Sequence, residues 1–179
     1  IKIISDDSRS TNTSLFSVIR SGIMGIIMAV LVIWLCIADA KATVIIALSI
    51  PLSFILTLIV FTITGKTLNI LTLTGMVVAL GMIVDGSIVM LEQVYRYLSE
   101  GRYTVKQSVY RGAEEVSSSI LASALTTIVV FIPMVLLKGL VGKLMKDVAL
   151  TLIYSMSASL IVAIVIIPMF IVSLKKEKE

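Results

Sequence analysis

Five long stretches of the chain contain no charged residue, and they limit its possible folds more than any other feature. Each is close to or above the roughly 20 residues that an α-helix needs to cross the hydrocarbon core of a bilayer. Only helices and closed barrels can span a bilayer, and barrel strands alternate between apolar and polar residues, which these stretches do not. The stretches are residues 21–38, 42–65, 67–84, 116–137 and 148–174, and the third continues in apolar character past Asp85 to Leu91.

The composition also indicates a membrane protein. Hydrophobic residues make up 58% of the 179 residues, and the mean hydropathy is +1.11. Soluble domains contain roughly 45–50% apolar residues on a similar count, so a soluble core of this length could not bury this much apolar surface. We therefore predict an all-α membrane protein, a polytopic bundle of five transmembrane helices. Their predicted ranges are 16–37, 42–64, 68–91, 118–137 and 148–173.

The remaining segments are predicted to lie outside the hydrocarbon. Residues 92–117 are charged throughout, and we predict a cytoplasmic connection with helix on both sides of Gly101 and an N-cap at Thr104. Residues 1–15 are predicted to be the end of an extracytoplasmic domain and its lead-in, and residues 175–179 a charged cytoplasmic tail. Because the chain starts with Ile rather than Met, we expect it to be a segment of a longer protein.

Lysine and arginine are distributed unevenly between the two sides of the predicted bundle. Counted over the short connections and the C-terminal tail, the side that carries residues 92–117 has eight of them, and the side that carries the connections 64–69 and 138–147 has four, apart from three in the N-terminal segment. Cytoplasmic loops carry an excess of Lys and Arg. The richer side is therefore predicted to be cytoplasmic.

Several kinds of chemistry are excluded by what the chain contains. It has no histidine, so histidine catalysis and histidine metal ligands are excluded within it. Its single cysteine, Cys36, cannot form an internal disulfide. We predict no cofactor and no metal site. We attribute the net charge of +4 to Lys and Arg residues that set the orientation of the helices in the membrane, and we do not expect nucleic-acid binding.

Asp85 is the only charged residue inside any of the five apolar stretches. An aspartate near the bilayer centre costs about 2.5–3.5 kcal/mol, and such residues are usually functional. Asp85 lies about 24 Å along a helix from Asn69, which is past the centre. Removal from water favours the neutral form of a carboxylic acid, so this group could load and release protons in a relay. The alternative is an interfacial aspartate that reaches the headgroups.

Small residues surround this aspartate. Gly81 lies on the same helix face as Asp85, and Gly86 and Ser87 follow Asp85 directly. Glycine allows another helix to approach closely. We predict that Gly81, Gly86 and Ser87 are helix-packing positions next to the relay.

Two rows of small residues recur at a spacing of four. Such rows are usually close-packed helix faces, and the alternative interpretation is the lining of a water path. The three prolines inside or near the apolar stretches are interpreted as kinks. The rows are Ser119, Ser123 and Thr127, and Ser155, Ser159 and Ala163; the prolines are Pro51, Pro133 and Pro168.

Beyond these patterns, the segment "LNILTLTGMVVALGMIVDGSIVMLEQV" (68–94) resembles the fourth transmembrane helix of the RND superfamily, in its hydrophobe/amphiphile exporter branch. Residues 122–170 resemble the fifth and sixth helices of the same family. Residues 38–57 resemble its second-to-third connection and third helix. The resemblance covers nearly the whole chain and implies transmembrane helices two to six of the first half of a twelve-helix fold.

The resemblance implies a multidrug efflux transporter, not an enzyme, in the inner or plasma membrane of a bacterium. Members of this family are proton-driven exporters of hydrophobic and amphiphilic compounds that act by drug/proton antiport. They work as homotrimers, usually with an adaptor protein and, in Gram-negative bacteria, an outer-membrane channel. Two alternatives are a truncated, non-functional remnant with a structural role, and an RND relative that exports lipid or protein.

The resemblance also assigns roles near Asp85. Asp85 matches the family's first relay aspartate on helix four. Gly86 stands where many members carry a second acid. The family's lysine partner lies on helix ten, in the second half, which this sequence does not include.

Overall fold

The computed structural model describes residues 7–37 and 39–176, and this part of the chain consists of long helices joined by short turns. Helix α5, a π-helical segment and helix α6 follow one another without a break and form one long helix. The elements are α1 (Asp7–Ile37), α2 (Ala40–Thr64), α3 (Ile70–Ser99), α4 (Val105–Leu136), α5 (Gly139–Ile161), the π segment (Val162–Ile166) and α6 (Ile167–Lys176).

Four of these helical stretches are long and apolar enough to cross a membrane. They are α2, α3, α4 and the continuous helix Gly139–Lys175, and the apolar part of α1, Arg20–Leu35, is shorter. The prediction of an all-α multi-pass bundle is confirmed. Large apolar side chains such as Leu125 and Val129 are exposed along α4, as expected for a helix whose solvent is lipid.

The helices extend further into the polar segments than the charge pattern indicated. The predicted connection 138–147 is almost entirely helical, because α4 ends at Leu136 and α5 begins at Gly139. The first turns of α5 carry exposed lysines, Lys143 and Lys146. Charged residues ended the predicted spans, but a helix can continue past the hydrocarbon into water, where charged side chains are no obstacle. The predicted lead-in is likewise helical from Asp7, and residues 1–6 and 177–179 lie outside the described part.

The turn between α3 and α4 follows the sequence prediction. Helix α3 runs to Ser99, Gly101 adopts a left-handed conformation with φ of +65°, and α4 begins after Thr104. The Thr104 hydroxyl accepts a hydrogen bond from the Gln107 backbone N–H, and the Gln107 side chain accepts one from the Thr104 N–H. Helix α3 begins with the same reciprocal capping between Asn69 and Thr72.

Helix α3 is the central element of the bundle, because it contacts α1, α2, α4 and α5. Two glycines allow its closest approaches. A Cβ added at Gly75 would lie 3.0 Å from the Thr151 Cβ on α5, and one added at Gly112 of α4 would lie 2.9 Å from the Val94 Cα on α3. Small residues at helix interfaces let backbones approach, which is how helices associate in lipid.

The three prolines lie within helices that continue past them. Pro51 and Pro133 are inside α2 and α4, and Pro168 lies two positions after the end of the π segment Val162–Ile166. Proline lacks an N–H and its ring clashes with the carbonyl four residues earlier. A wider turn before Pro168 accommodates both effects, which explains the position of the π segment.

The approach at Gly112 gives a prediction for stability. Gly112→Ala forces α3 and α4 apart and should lower the free energy of unfolding by roughly 1–3 kcal/mol. The measurement is unfolding of the intact protein in detergent micelles. The matched control is Gly25→Ala in α1, where an added Cβ has no described atom within 4 Å. If both variants unfold alike, the close approach of α3 and α4 does not support the bundle.

Candidate functional site

Asp85 lies on an open face of α3, at a cleft that α3 forms with α4 and the α5–α6 helix. The cleft has a volume of about 220 Å³. The Asp85 side chain is exposed in this chain, as are Val78 and Gly81 on the same face of α3. The carboxyl group is therefore not enclosed by these helices alone.

Three hydroxyl side chains of α4 line the cleft together with Asp85: Ser119, Ser123 and Thr127. The sequence favoured a close-packed face for this row, and Ser119 and Ser123 are exposed in this chain, so the row does not pack on the helices that the structure describes. Helix α4 instead packs on α3 through the adjacent row, which includes Ile120 and Ala124. Both rows have a spacing of four and small members, so spacing alone could not tell which one is buried.

The second row predicted as a packed face does pack. Ser155, Ser159 and Ala163 are all buried. The Ser159 hydroxyl donates a hydrogen bond to the Ile83 backbone carbonyl at 2.7 Å, which ties α5 to the middle of α3. The sequence did not single out Ser159 as a site residue, and its row of small residues was the only available signal.

The three predicted packing positions have different surroundings. A Cβ at Gly86 would lie 3.2 Å from the Ile120 Cγ2 and 3.5 Å from the Ala163 Cβ, so two helices approach α3 closely at this point. Ser87 is fully buried, and its hydroxyl has no hydrogen-bond partner within residues 7–37 and 39–176. Gly81 is exposed, and no described atom comes within 4 Å of a Cβ added there.

Asp85 makes no ion pair and no side-chain hydrogen bond with any residue that the structure describes. The ion pairs lie at the two ends of the bundle. Lys66 contacts Asp147 at 2.9 Å, and Arg96 contacts Glu115 at 3.4 Å, where the Tyr97 hydroxyl also donates to Glu115 at 2.7 Å. The first pair joins the turn between α2 and α3 to α5, the second joins the end of α3 to α4, and neither places a cation of the described residues at Asp85.

The described residues thus form a bundle of helices long and apolar enough to span a membrane, with a carboxyl group that none of them pairs at a cleft between α3, α4 and the α5–α6 helix. The model of the AcrB/AcrD/AcrF family matches residues 1–179, and the chain belongs to this family, a branch of the RND transporters. The match confirms the resemblance found in the sequence. With the four helices that can span a bilayer, it also confirms a multi-pass protein of the bacterial inner membrane.

Individual relatives extend this similarity. The chain is 37% identical over 174 residues to the swarming motility protein SwrC of Bacillus subtilis (strain 168), which covers 96% of this chain and 16% of SwrC. It is 34% identical over 178 residues to the multidrug resistance protein MdtC of Photorhabdus laumondii, covering 99% of this chain and 17% of MdtC. MdtC of Escherichia coli (strain K12) is 34% identical over 169 residues. The chain thus spans only 16–17% of the length of these curated relatives.

The bond between Ser159 and α3 gives a second prediction. Ser159→Ala removes an interhelical hydrogen bond and should lower the free energy of unfolding by about 0.6 kcal/mol, and at most about 1.7 kcal/mol. The control is Ser157→Ala, because the Ser157 hydroxyl donates to Ile153 in its own helix. Unfolding of both variants in detergent measures the difference. Equal losses would contradict a stabilising role for the contact between Ser159 and Ile83.

Proposed function

We propose that this chain is the membrane-embedded proton-relay segment of a longer RND-type exporter of hydrophobic and amphiphilic compounds, driven by drug/proton antiport. The observation that carries the proposal is Asp85, a carboxyl group within a membrane-spanning helix that has no cation among the described residues. An ionised carboxylate at this depth is costly unless it is paired. It must therefore be neutralised by a proton or by a partner from outside this chain.

The open face of α3 supports a partner from outside the chain. Val78, Gly81 and Asp85 are exposed together, and Gly81 leaves space for the backbone of another helix. The family resemblance implies that this helix is the tenth of the full protein and that it carries a lysine. In the proposed cycle, the lysine pairs with ionised Asp85, and protonation of Asp85 releases it.

The position of Asp85 on the central helix supports a coupling role. Helix α3 contacts four other helices, so a shift of α3 against its partner displaces the whole bundle. Packed interfaces tend to switch between discrete arrangements, which converts a change of charge into movement. In the full protein this movement would act on external domains, where substrate binds.

Gly86 supports a relay with one carboxyl group in this segment. Many family members carry a second acid at this position, but here the Ile120 side chain lies 3.2 Å from where a Cβ would be. A larger side chain would require Ile120 to move. The packing around Gly86 therefore fits a glycine, and Asp85 is the one acid that the cleft offers for protonation.

The wider assembly follows from the same proposal. The full protein would be a transporter and not an enzyme, a homotrimer in the bacterial inner membrane. It would work with an adaptor protein and, in a Gram-negative envelope, with an outer-membrane channel.

Substitution of the relay residue tests this function. Asp85→Asn keeps the size and removes the proton-binding carboxyl, so drug efflux from cells that express the intact protein should fall to the level of cells without it. Glu92→Gln is the matched control, because Glu92 is exposed on the same helix, two turns further along and outside the cleft. Its efflux should be unchanged.

Equal amounts of each variant in the membrane must be verified by immunoblot. Undiminished efflux with Asp85→Asn would rule out the relay. No efflux from the unsubstituted protein, with normal amounts in the membrane, would favour a structural remnant.

A further inference from the structure

We propose that the turn between α4 and α5 binds the phosphate of an anionic phospholipid, in a pocket that three lysines line at the edge of the bundle. The lysines are Lys138, Lys143 and Lys146. This inference does not depend on the relay role of Asp85, because it concerns only how one end of the bundle contacts the bilayer.

The pocket is open and lies where α4 ends and α5 begins, with a volume of about 560 Å³. Besides the three lysines, its lining includes the apolar side chains of Val135, Leu137 and Leu140. No acidic residue is among the lining residues that the structure describes. Apolar walls with positive charges fit a ligand that is both anionic and amphiphilic.

The three lysines have no counter-charge within residues 7–37 and 39–176. None of them makes an ion pair or a side-chain hydrogen bond with these residues. Asp147 follows Lys146 directly, but its carboxylate binds Lys66 at 2.9 Å. The repulsion among the three ammonium groups is therefore not compensated by these helices, and an anion in the pocket would relieve it.

Two glycines determine the shape of the turn. Gly139 has a φ of +85°, a conformation that favours glycine. A Cβ added at Gly142 would overlap the backbone carbonyl of the C-cap residue of α4. The turn is therefore tight and holds Lys138 beside the first turns of α5. Lys143 and Lys146 are three positions apart, so they lie on one face of that helix.

The register of α3 and α5 gives the depth of the lysines in the membrane. Gly75 packs against Thr151. Lys146 precedes Thr151 by as many positions as Ile70 precedes Gly75, and the two helices run in the same direction. Lys146 is therefore level with Ile70, the first residue of α3. Lys143 lies about 4.5 Å further out, at 1.5 Å per residue.

This level corresponds to the lipid headgroups. The apolar part of α3 from Ile70 to Leu91, interrupted by Asp85, is about 33 Å long, which is close to the roughly 30 Å of a hydrocarbon core. Ile70 therefore marks one boundary of the hydrocarbon. The headgroup layer adds about 5–7 Å on each side. Lys143 and Lys146 lie within this layer, where lipid phosphates are found.

A row of exposed apolar side chains on α4 leads from the hydrocarbon to the pocket. Its members follow one another at intervals of three or four residues, so they share one face of the helix. An acyl chain can lie along this row while its phosphate lies among the lysines. This continuity favours a lipid over a soluble anion or an acidic protein surface, which have no acyl chain. The row consists of Leu125, Val129, Ile132 and Leu136.

The number of lysines in this turn is also unusual for its side of the membrane. The distribution of loop charges predicts that the turn is external, and short external loops usually contain few Lys and Arg. Three lysines between positions 138 and 146 depart from that tendency. A lipid phosphate that binds them would account for the departure.

The test compares lipid binding by variants of the intact protein. The double variant Lys143→Gln with Lys146→Gln removes two charges from the pocket. The matched control, Arg102→Gln with Lys106→Gln, removes two exposed charges at the other end of the bundle. Each protein is purified in detergent and titrated with phosphatidylglycerol or phosphatidylcholine, and native mass spectrometry measures the lipid bound per chain.

The double variant should bind phosphatidylglycerol about 25-fold more weakly at its tightest site, at about fivefold for each lysine. Its binding of the zwitterionic phosphatidylcholine should not change. The control should keep the tight site. Lys143→Arg with Lys146→Arg keeps both charges and should bind phosphatidylglycerol like the unsubstituted protein, which separates loss of charge from misfolding.

Three results would overturn the inference, and none of them bears on the relay. Equal losses in the double variant and the control would mean that binding reflects overall charge. Unchanged binding in the double variant would mean that the lysines do not contact the lipid, as when another part of the full protein covers them. Displacement of phosphatidylglycerol by a similar concentration of glycerol 1-phosphate would mean that the pocket takes a soluble phosphate.

Discussion

The close contact of α3 with α4 and α5 is the constraint on which the rest of the structure depends. In lipid there is little hydrophobic gain from joining helices, so association relies on close van der Waals contact. Gly75, Gly86 and Gly112 supply that contact at three heights, and an added Cβ at each would lie 3.2 Å or less from a neighbouring helix. Between these points α4 is held against α3 by one row of residues. The adjacent row, Ser119, Ser123 and Thr127, lines the cleft.

The distribution of charge along α3 complements this packing. Ion pairs and capping bonds lie at the ends of the helix, where water screens them and the cost of holding them is small. The middle of the helix carries a single carboxyl group that these helices do not neutralise. The bundle has its ion pairs at its two ends, and Asp85 at its centre has none with these helices. A proton or a cationic partner that binds Asp85 therefore changes the charge at the centre of the bundle.

The fold was largely predictable from the sequence, while the arrangement of the cleft was not. Long charge-free stretches gave the helices, and capping residues such as Thr104 gave the turn, because both are local properties. The helical state of the connection 138–147 was not predicted, since a helix can continue into water without any change in local preference. The sequence also could not show that Ser119, Ser123 and Thr127 line the cleft while the row next to them packs on α3. Which of two neighbouring rows is buried depends on how α4 is rotated against α3, and spacing within one helix carries no information about that rotation.

The π segment before Pro168 affects which residues of the last membrane helix face the bundle. Val162 and Ile167 are both fully buried although they are five positions apart, whereas the next fully buried pair, Ile167 and Ile171, is four positions apart. The extra residue shifts the phase of the helix by about 100°, one position in a turn of 3.6. A helical wheel drawn with one constant period through Gly139–Lys175 would therefore assign the wrong inward face to one half. The widened turn keeps one buried seam facing the bundle on both sides of the π segment.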